Sequence, residues 1–468
     1  MSGIIDPVER VVVVGAGIAG LAAASRLQRA GVSCVVLEAR DRIGGRLHTI
    51  DLAGTPVDLG GSWIHHPIGN PLSAFCDERG IARDPGDATM SLSAYDRLER
   101  RRLDHGEVEK YTQVESDAFW NVVDALSDRL GPDATGLDAI EAFVADRGLT
   151  GAIARRVRQE LRAEVEADAA DRADNDSLRW MSFGEEFDGP VFGDLPRNGY
   201  RSVIDVLATD ADVRLNTEVV SVDVAADGIR AIGADGSVEA GSHAIVTVPL
   251  GVLKRGSIRF DPPLPTLTQR AVDALGFGRY EKIALCFESA FWRDDGLSHL
   301  VVFPPDEDEP AMWVFDLDGF GAGPVLCAHL FHTLTPYALA RPPAQAVDWL
   351  MGVLADVFGR AVPDPVASVV TAWADDPFTR GAYSHCPPGA EPSMLDLLGE
   401  PMHRRLLLAG EHTQSARYGY ADGAYVSGLR AAEICMRVAI GTESTTLRQK
   451  SRMKETRADP SSRRRPGD

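Results

Sequence analysis

Four consecutive valines, Val11–Val14, make an apolar run that stops abruptly at Gly15. A helix-compatible stretch follows, then a second apolar run, Cys34–Leu37, closed by Glu38. Strand, helix and strand in that order predict one βαβ unit. Residues 86–196 read as mostly helical, with apolar positions at helical spacing amid many charges over Tyr111–Leu130 and Ala152–Ala170. A short helix is expected over Ser202–Ala208, then strands over Val213–Leu215, Val219–Val224, Gly228–Ile232 and Ala244–Val248. Asp227-Gly228 and Asp235-Gly236 mark hairpin turns between them. Another strand is expected over Glu281–Phe287, three more within 298–331, and a helix over 344–358. Leu406–Ala409 reads as a buried strand, and a long helix starts near Tyr420 and runs to about Arg437.

The break at Gly15 carries chemistry. Gly15, Gly17 and Gly20 have G-x-G-x-x-G spacing between strand and helix. Gly15 permits the tight turn, Gly17 lets backbone approach a pyrophosphate, and Gly20 lets helix and strand pack closely. The helix N-terminus offers free N–H groups to the anion, and Glu38 sits where an acid accepts ribose hydroxyls. The motif alone leaves NAD and FAD open. The extension Arg40-Asp41-Arg42-Ile43-Gly44-Gly45-Arg46 points to FAD, because two glycines and an arginine can fold back over the pyrophosphate. A second contact is expected near the C-terminus, where Glu411 ends a buried strand and Gly419, Ala421, Gly423 and Ala424 let the next helix pack against a flat ligand. The alternative is that Glu411 is only a helix-entry residue and the glycines only pack.

The expected class is α/β with mixed layers: a Rossmann-like FAD-binding domain interleaved with a substrate domain of mixed sheet and helices. Segments 1–85, 197–290 and 400–441 would build the first, and 86–196 and 291–399 the second. Residues 442–468 read as a disordered basic tail, with eight Lys/Arg against four Asp/Glu and no apolar period. The 468 residues carry a net charge of −21, which argues against a nucleic-acid partner. No apolar run reaches the length of a membrane span, and no signal peptide or obligate protein partner is evident. The six cysteines lack C-x-x-C spacing and read as buried thiols, so a cytoplasmic location is expected. His65-His66 has no third ligand at useful spacing, so no metal is expected.

The blocks GAGIAGLAAASRL, VLEARDRIGGR, DLGGSWIHHPIGNP, LGFGRYEKIALCFESAFW, WADDPFTRGAYS and AGEHT…GYADGAYVSGLRAAE together resemble the flavin-containing amine oxidases. That family includes monoamine oxidases, polyamine oxidases and lysine-specific histone demethylases, and the match looks nearer to polyamine oxidases. The resemblance implies FAD contacts at Gly15, Gly17, Gly20, Glu38, Arg40, Gly45, Arg46, Val219, Glu411, Tyr420 and Ala421. It puts Gly61, Ser62, Trp63 and Trp373 beside the flavin ring and Lys282 near its reactive nitrogen through a water. Tyr383 and Tyr420 would form aromatic walls at the substrate amine, and His65 would line the active site. By residue type alone, Lys282 could be a strand-end surface lysine, the two tyrosines core aromatics, and His65 a structural histidine.

Where monoamine oxidases attach flavin through a cysteine, this chain has Ala382, so FAD is expected to bind without a covalent link. The demethylases' long helical insertion and extra N-terminal domain are not expected to fit in this chain, so chromatin work is not expected. The expected reaction is oxidation of an amine, polyamine-type favoured, to an imine that water hydrolyses, with dioxygen going to hydrogen peroxide. An amino-acid oxidase, pairing a substrate carboxylate with Arg417, is the rival within enzymes. A desaturase or dehydrogenase on the same fold is a second rival, and a flavin-bound interaction module without turnover is the non-enzymatic one.

Overall fold

The computed structural model describes residues 10–85, 92–185 and 187–440. The basic tail expected over 442–468 lies outside them. Strand β1 (Arg10–Val14) crosses through helix α1 (Ile18–Arg29) to strand β2 (Ser33–Leu37), and the two strands pair in parallel. They sit in a five-stranded, all-parallel sheet in the order Leu406–Leu408, His243–Val246, β1, β2, Val213–Arg214. Its strands are apolar on both faces because both faces are covered. Val11 and Val13 pack with α1 and with the Arg201–Ala208 and Ala421–Ile440 helices. Val12 and Val14 point the other way, onto a four-stranded sheet (Val238–Gly241, Gly228–Gly233, Val219–Ala225, Arg259–Asp261) and short helices. Small residues allow the closest contact: a Cβ on Gly428 of the Ala421–Ile440 helix would lie 2.1 Å from the Ala19 carbonyl oxygen of α1.

A seven-stranded mixed sheet forms the other main layer, in the order Ala367–Val370, Tyr280–Cys286, Val325–Phe331, Met312–Asp316, His299–Phe303, Leu92–Asp96, Arg101–Arg102. One face packs on the Pro343–Phe358 helix through Ile283, Leu285, Leu350 and Leu354. The other packs on a helical layer that includes Gly136–Asp146 and Gly151–Ala169, through Phe303, Phe331, Val157 and Leu161.

Three expectations need correction, and a fourth needs an addition. The boundary at 290 falls beyond Tyr280–Cys286, which pairs on both sides within the seven-stranded sheet and belongs with it. The stretch 86–196, read as mostly helical, is so in its described residues, but it also supplies a strand the pattern did not show, Leu92–Asp96, completed by pairing in parallel with His299–Phe303. The helix expected over Tyr111–Leu130 is broken into a π-helical turn Lys110–Val114, a helix Glu115–Trp120 and a helix Val123–Leu130. Tertiary anchors explain the breaks: Tyr111 meets the Phe303 ring, while Ser116 and Trp120 both reach Glu164. The strand expected to run to Val248 stops at Val246, since Thr247 turns to donate its hydroxyl to Val14 and Gly15 carbonyls.

Candidate active site

A cavity of about 870 Å³ begins at the C-terminal ends of the parallel strands, beside Gly15, Glu38, Thr247 and Gly410, and runs to the seven-stranded sheet. Gly15 turns at φ +103°, and a Cβ there would meet Thr247 Oγ1 at 2.6 Å. Gly17 caps α1 without any side-chain bond, and a Cβ on it would have nothing within 4 Å, so bare backbone and first-turn N–H groups face the space. Gly20 lies behind the wall: its Cβ would sit 2.0 Å from the Gly15 carbonyl oxygen, so its role is close packing. Gly45 (φ +58°) presses against the Gly17 Cα. Glu38 accepts from the N–H of Ala16 at 2.7 Å and of Arg40 at 3.0 Å, which fixes the glycine turn while the carboxylate lines the cavity.

Arg46 donates to the Ala382 carbonyl at 2.6 Å and pairs with Glu411 at 2.8 Å. Burial pushes the Glu411 carboxyl up, but Arg46, His412 and the Ser384 hydroxyl outweigh it and hold it below its ordinary range. Glu411 also accepts from Gly419 N–H at 3.0 Å, so it organises the turn before Tyr420 rather than only opening a helix. Arg40 pairs with Asp376 at 2.7 Å. Val219 and Ala421 complete the wall. An open glycine cradle at a helix start, a carboxylate beyond β2 and the pairing of half-buried Arg46 with buried Glu411 form a donor and acceptor set that fits FAD.

Lys282 is buried in the middle of its strand, not exposed at the strand end. Nζ reaches the Asp58 carbonyl at 3.0 Å, the Gly60 carbonyl at 2.6 Å and Ser62 Oγ at 2.8 Å, and lies 5.9 Å from the Trp63 ring centre. Burial lowers its pKa. Trp373 Nε1 donates to the Leu59 carbonyl at 3.0 Å. Gly61 packs against Leu47, where a Cβ would meet Cδ2 at 2.8 Å. The segment from Asp58 to Trp63 is therefore held from two directions along the cavity wall.

Tyr383 and Tyr420 both line this region, and the Tyr383 hydroxyl donates to the Ala167 carbonyl. Tyr420 carries the Arg417 guanidinium 3.9 Å above its ring and meets His65 edge-on at 5.3 Å. Half-buried His65 bonds through Nδ1 to the Val191 carbonyl. Since a carbonyl only accepts, Nδ1 carries the proton and Nε2 keeps its lone pair. Burial pushes this histidine down to about 4, so the ring is neutral at pH 7. Arg417 is also committed: Nε pairs with Asp422 at 2.8 Å and Nη1 donates to the Glu185 carbonyl at 3.2 Å.

The family model for flavin containing amine oxidoreductases matches residues 18–436. The chain belongs to that family. It is a flavin-dependent amine oxidase and binds FAD non-covalently. It is 32% identical over 444 residues to probable polyamine oxidase 4 of Arabidopsis thaliana, covering 91% of this chain and 87% of that one. Polyamine oxidase 2 of the same plant is 31% identical, covering 92% and 88%. Lysine-specific histone demethylase 1 homolog 3 of Oryza sativa subsp. japonica is also 31% identical, but this chain spans only 53% of its length.

Within the amine oxidase cavity, the site residues expected from sequence line one space, except Gly20 and Gly423, which pack on backbone behind it. Others were missed. Glu281 points away from Lys282 and accepts from Trp373 and Ala374 N–H groups at 2.9 Å each, holding Trp373. Its signal was the one used for Lys282, a charge inside an apolar strand. Asp58 accepts from the Tyr200 N–H at 3.2 Å and from Thr49, and burial pushes its carboxyl up to about 6. Glu160 and Glu164 line the cavity, as do Trp120 and Trp313. Their spacing of four was visible, but charges around the whole helix hid which face mattered.

Proposed function

We propose that this amine oxidase acts on a primary or secondary amine of polyamine type. The C–N bond is oxidised to an imine, water converts it to an aldehyde plus amine or ammonia, and dioxygen becomes hydrogen peroxide. FAD, when bound, supplies the two-electron acceptor for the C–H next to nitrogen. The carrying observation is the convergence of buried Lys282, the Tyr383 and Tyr420 rings and neutral His65 on one cavity that also holds the glycine cradle. Aromatic faces attract an amine's cation and orient the neutral form. His65 Nε2 is free to accept an amine N–H. Lys282 and Trp373 keep the Asp58–Trp63 segment in place along the cavity wall.

The cofactor body is proposed to be Rossmann-like, built among the described residues from 10–85, 197 to about 279, and 400–440, with the seven-stranded sheet and its helices as substrate body. Six free, buried cysteines support a cytoplasmic setting. Among the described residues, no helix is long and apolar enough to cross a membrane. The amino-acid oxidase alternative loses its main support because Arg417 is already paired with Asp422. The test is peroxide release across spermine, spermidine, their acetyl forms, putrescine, tyramine, tryptamine and L-amino acids. Turnover confined to the last three groups would overturn the polyamine assignment.

A further inference from the structure

One arm of the cavity lining is supplied by the Gly151–Ala169 helix. Glu160, Glu164 and Asp168 recur at intervals of four on that helix, and all three line the cavity. The helix's last turn adjoins the reaction end, because the Ala167 carbonyl accepts the Tyr383 hydroxyl. Asp168 is therefore the near acid, with Glu164 about 6 Å and Glu160 about 12 Å farther along at 1.5 Å per residue.

Glu160 is 3% exposed; Trp313 is the one donor beside its carboxyl among the described residues, and Oε2 has no partner in good hydrogen-bond geometry. Glu164 accepts from Ser116 Oγ at 2.9 Å and Trp120 Nε1 at 2.6 Å. Neither carboxylate has a cation within ion-pair reach among the described residues, although the helix carries four arginines. Arg155 and Arg156 go to Asp96, Arg158 to Glu141 and Arg162 to Asp308. The helix has sorted its cations away from this arm. Burial pushes Glu164 up to about 7 and Glu160 well above its ordinary range, with Glu164 adding to the latter. Without a cation such a pair keeps protons; a cation seated between the two acids would draw carboxylate charge onto them.

We propose that Glu160 and Glu164 form a distal cation subsite that takes a protonated nitrogen of a linear polyamine whose reacting amine lies at the Tyr383–Tyr420 end. Trp120 and Trp313 flank its methylenes. Four methylenes between nitrogens span about 6 Å at ordinary bond lengths, matching the rise between successive acids. A monoamine leaves the pair without that cation. This subsite rests on the amine oxidase reading of the same cavity.

The test uses FAD-loaded enzyme, wild type against Glu160→Gln, Glu164→Gln and the charge-retaining Glu164→Asp. Decamethonium, a dication that cannot form an imine, is titrated against tryptophan emission, and KM and kcat are measured for spermine and for a long primary monoamine. The Gln variants should weaken decamethonium at least about tenfold and raise the spermine KM by a similar factor, with the ratio of spermine to monoamine KM rising severalfold. Glu164→Asp should retain most of the binding and keeps the question open to measurement if a Gln variant does not fold. Equal shifts for spermine and monoamine, or unchanged decamethonium binding, would sink the subsite while leaving amine oxidation intact. Acid-dependent decamethonium binding by a wild-type enzyme that oxidises no amine would instead sink the functional reading and keep the subsite.

Discussion

Replacing Lys282 with Met removes three contacts at once, to the carbonyls of Asp58 and Gly60 and to Ser62 Oγ. Lys282 is 5% exposed, so two backbone carbonyls lose a buried partner. Each unsatisfied group costs about 1–3 kcal/mol, or roughly 2–6 kcal/mol together. Part of this is offset, because Met relieves the burial of an amine whose charged form the site already disfavours. The expected net loss of stability is about 1–3 kcal/mol, so the variant should fold and hold FAD. The larger effect should be kinetic. The Asp58–Trp63 segment forms the cavity wall that Lys282 braces, and a small displacement there should slow flavin reduction, reoxidation or both by at least about tenfold, equal to roughly 1.4 kcal/mol on the barrier. Stopped-flow absorbance separates the two steps, with anaerobic amine for one and dioxygen for the other. Rates unchanged in both, with normal flavin content, would refute the reasoning and reduce Lys282 to a brace without kinetic consequence.

Three further outcomes are expected. Acid or heat precipitation should release yellow FAD into the supernatant, since Ala382 offers no thioether; flavin retained in the pellet would contradict this. Glu38→Ala should weaken FAD by about 1.5–3 kcal/mol, the range for a hydrogen bond to a charged group. The same variant also frees the Ala16 and Arg40 N–H groups, and equilibrium titration of the apoprotein reads the loss. Acidification should destabilise the fold through buried histidines: His243, 2% exposed, is pushed down to about 4 by burial and Arg405. Between about pH 6.5 and 4 the unfolded chain takes up that proton and the folded chain does not, so this contribution is complete above 6.5 and is lost as pH falls. His243→Gln should flatten the fall in stability by up to about 1.4 kcal/mol per pH unit in that window; chemical denaturation at pH 7, 6 and 5 measures it, and parallel curves would exclude the assignment.

The βαβ unit and its glycine turn could be read from sequence because they are local. A run of valines, a glycine that must take φ > 0 and a helix start lie within about twenty residues, and short-range sterics and periodicity decide them. The hairpins at Asp227-Gly228 and Asp235-Gly236 were legible for the same reason. Lys282 stood out because a charge inside an apolar strand needs a partner, yet the partners, Asp58, Gly60 and Ser62, lie more than 200 residues earlier and leave no trace in the local pattern. Glu411 could be placed at a strand end, but only the chain's return across 365 residues brings Arg46 to it. The same holds for the strand Leu92–Asp96 and the break at Asn121: sheet pairing and the reach of Trp120 to Glu164 overrode the helical period. Sequence determined which segments could be strand, helix or phosphate-binding turn, because backbone sterics act between neighbours. Which carboxylates of the Gly151–Ala169 helix stay unpaired in the cavity was decided only when distant chain segments claimed that helix's arginines.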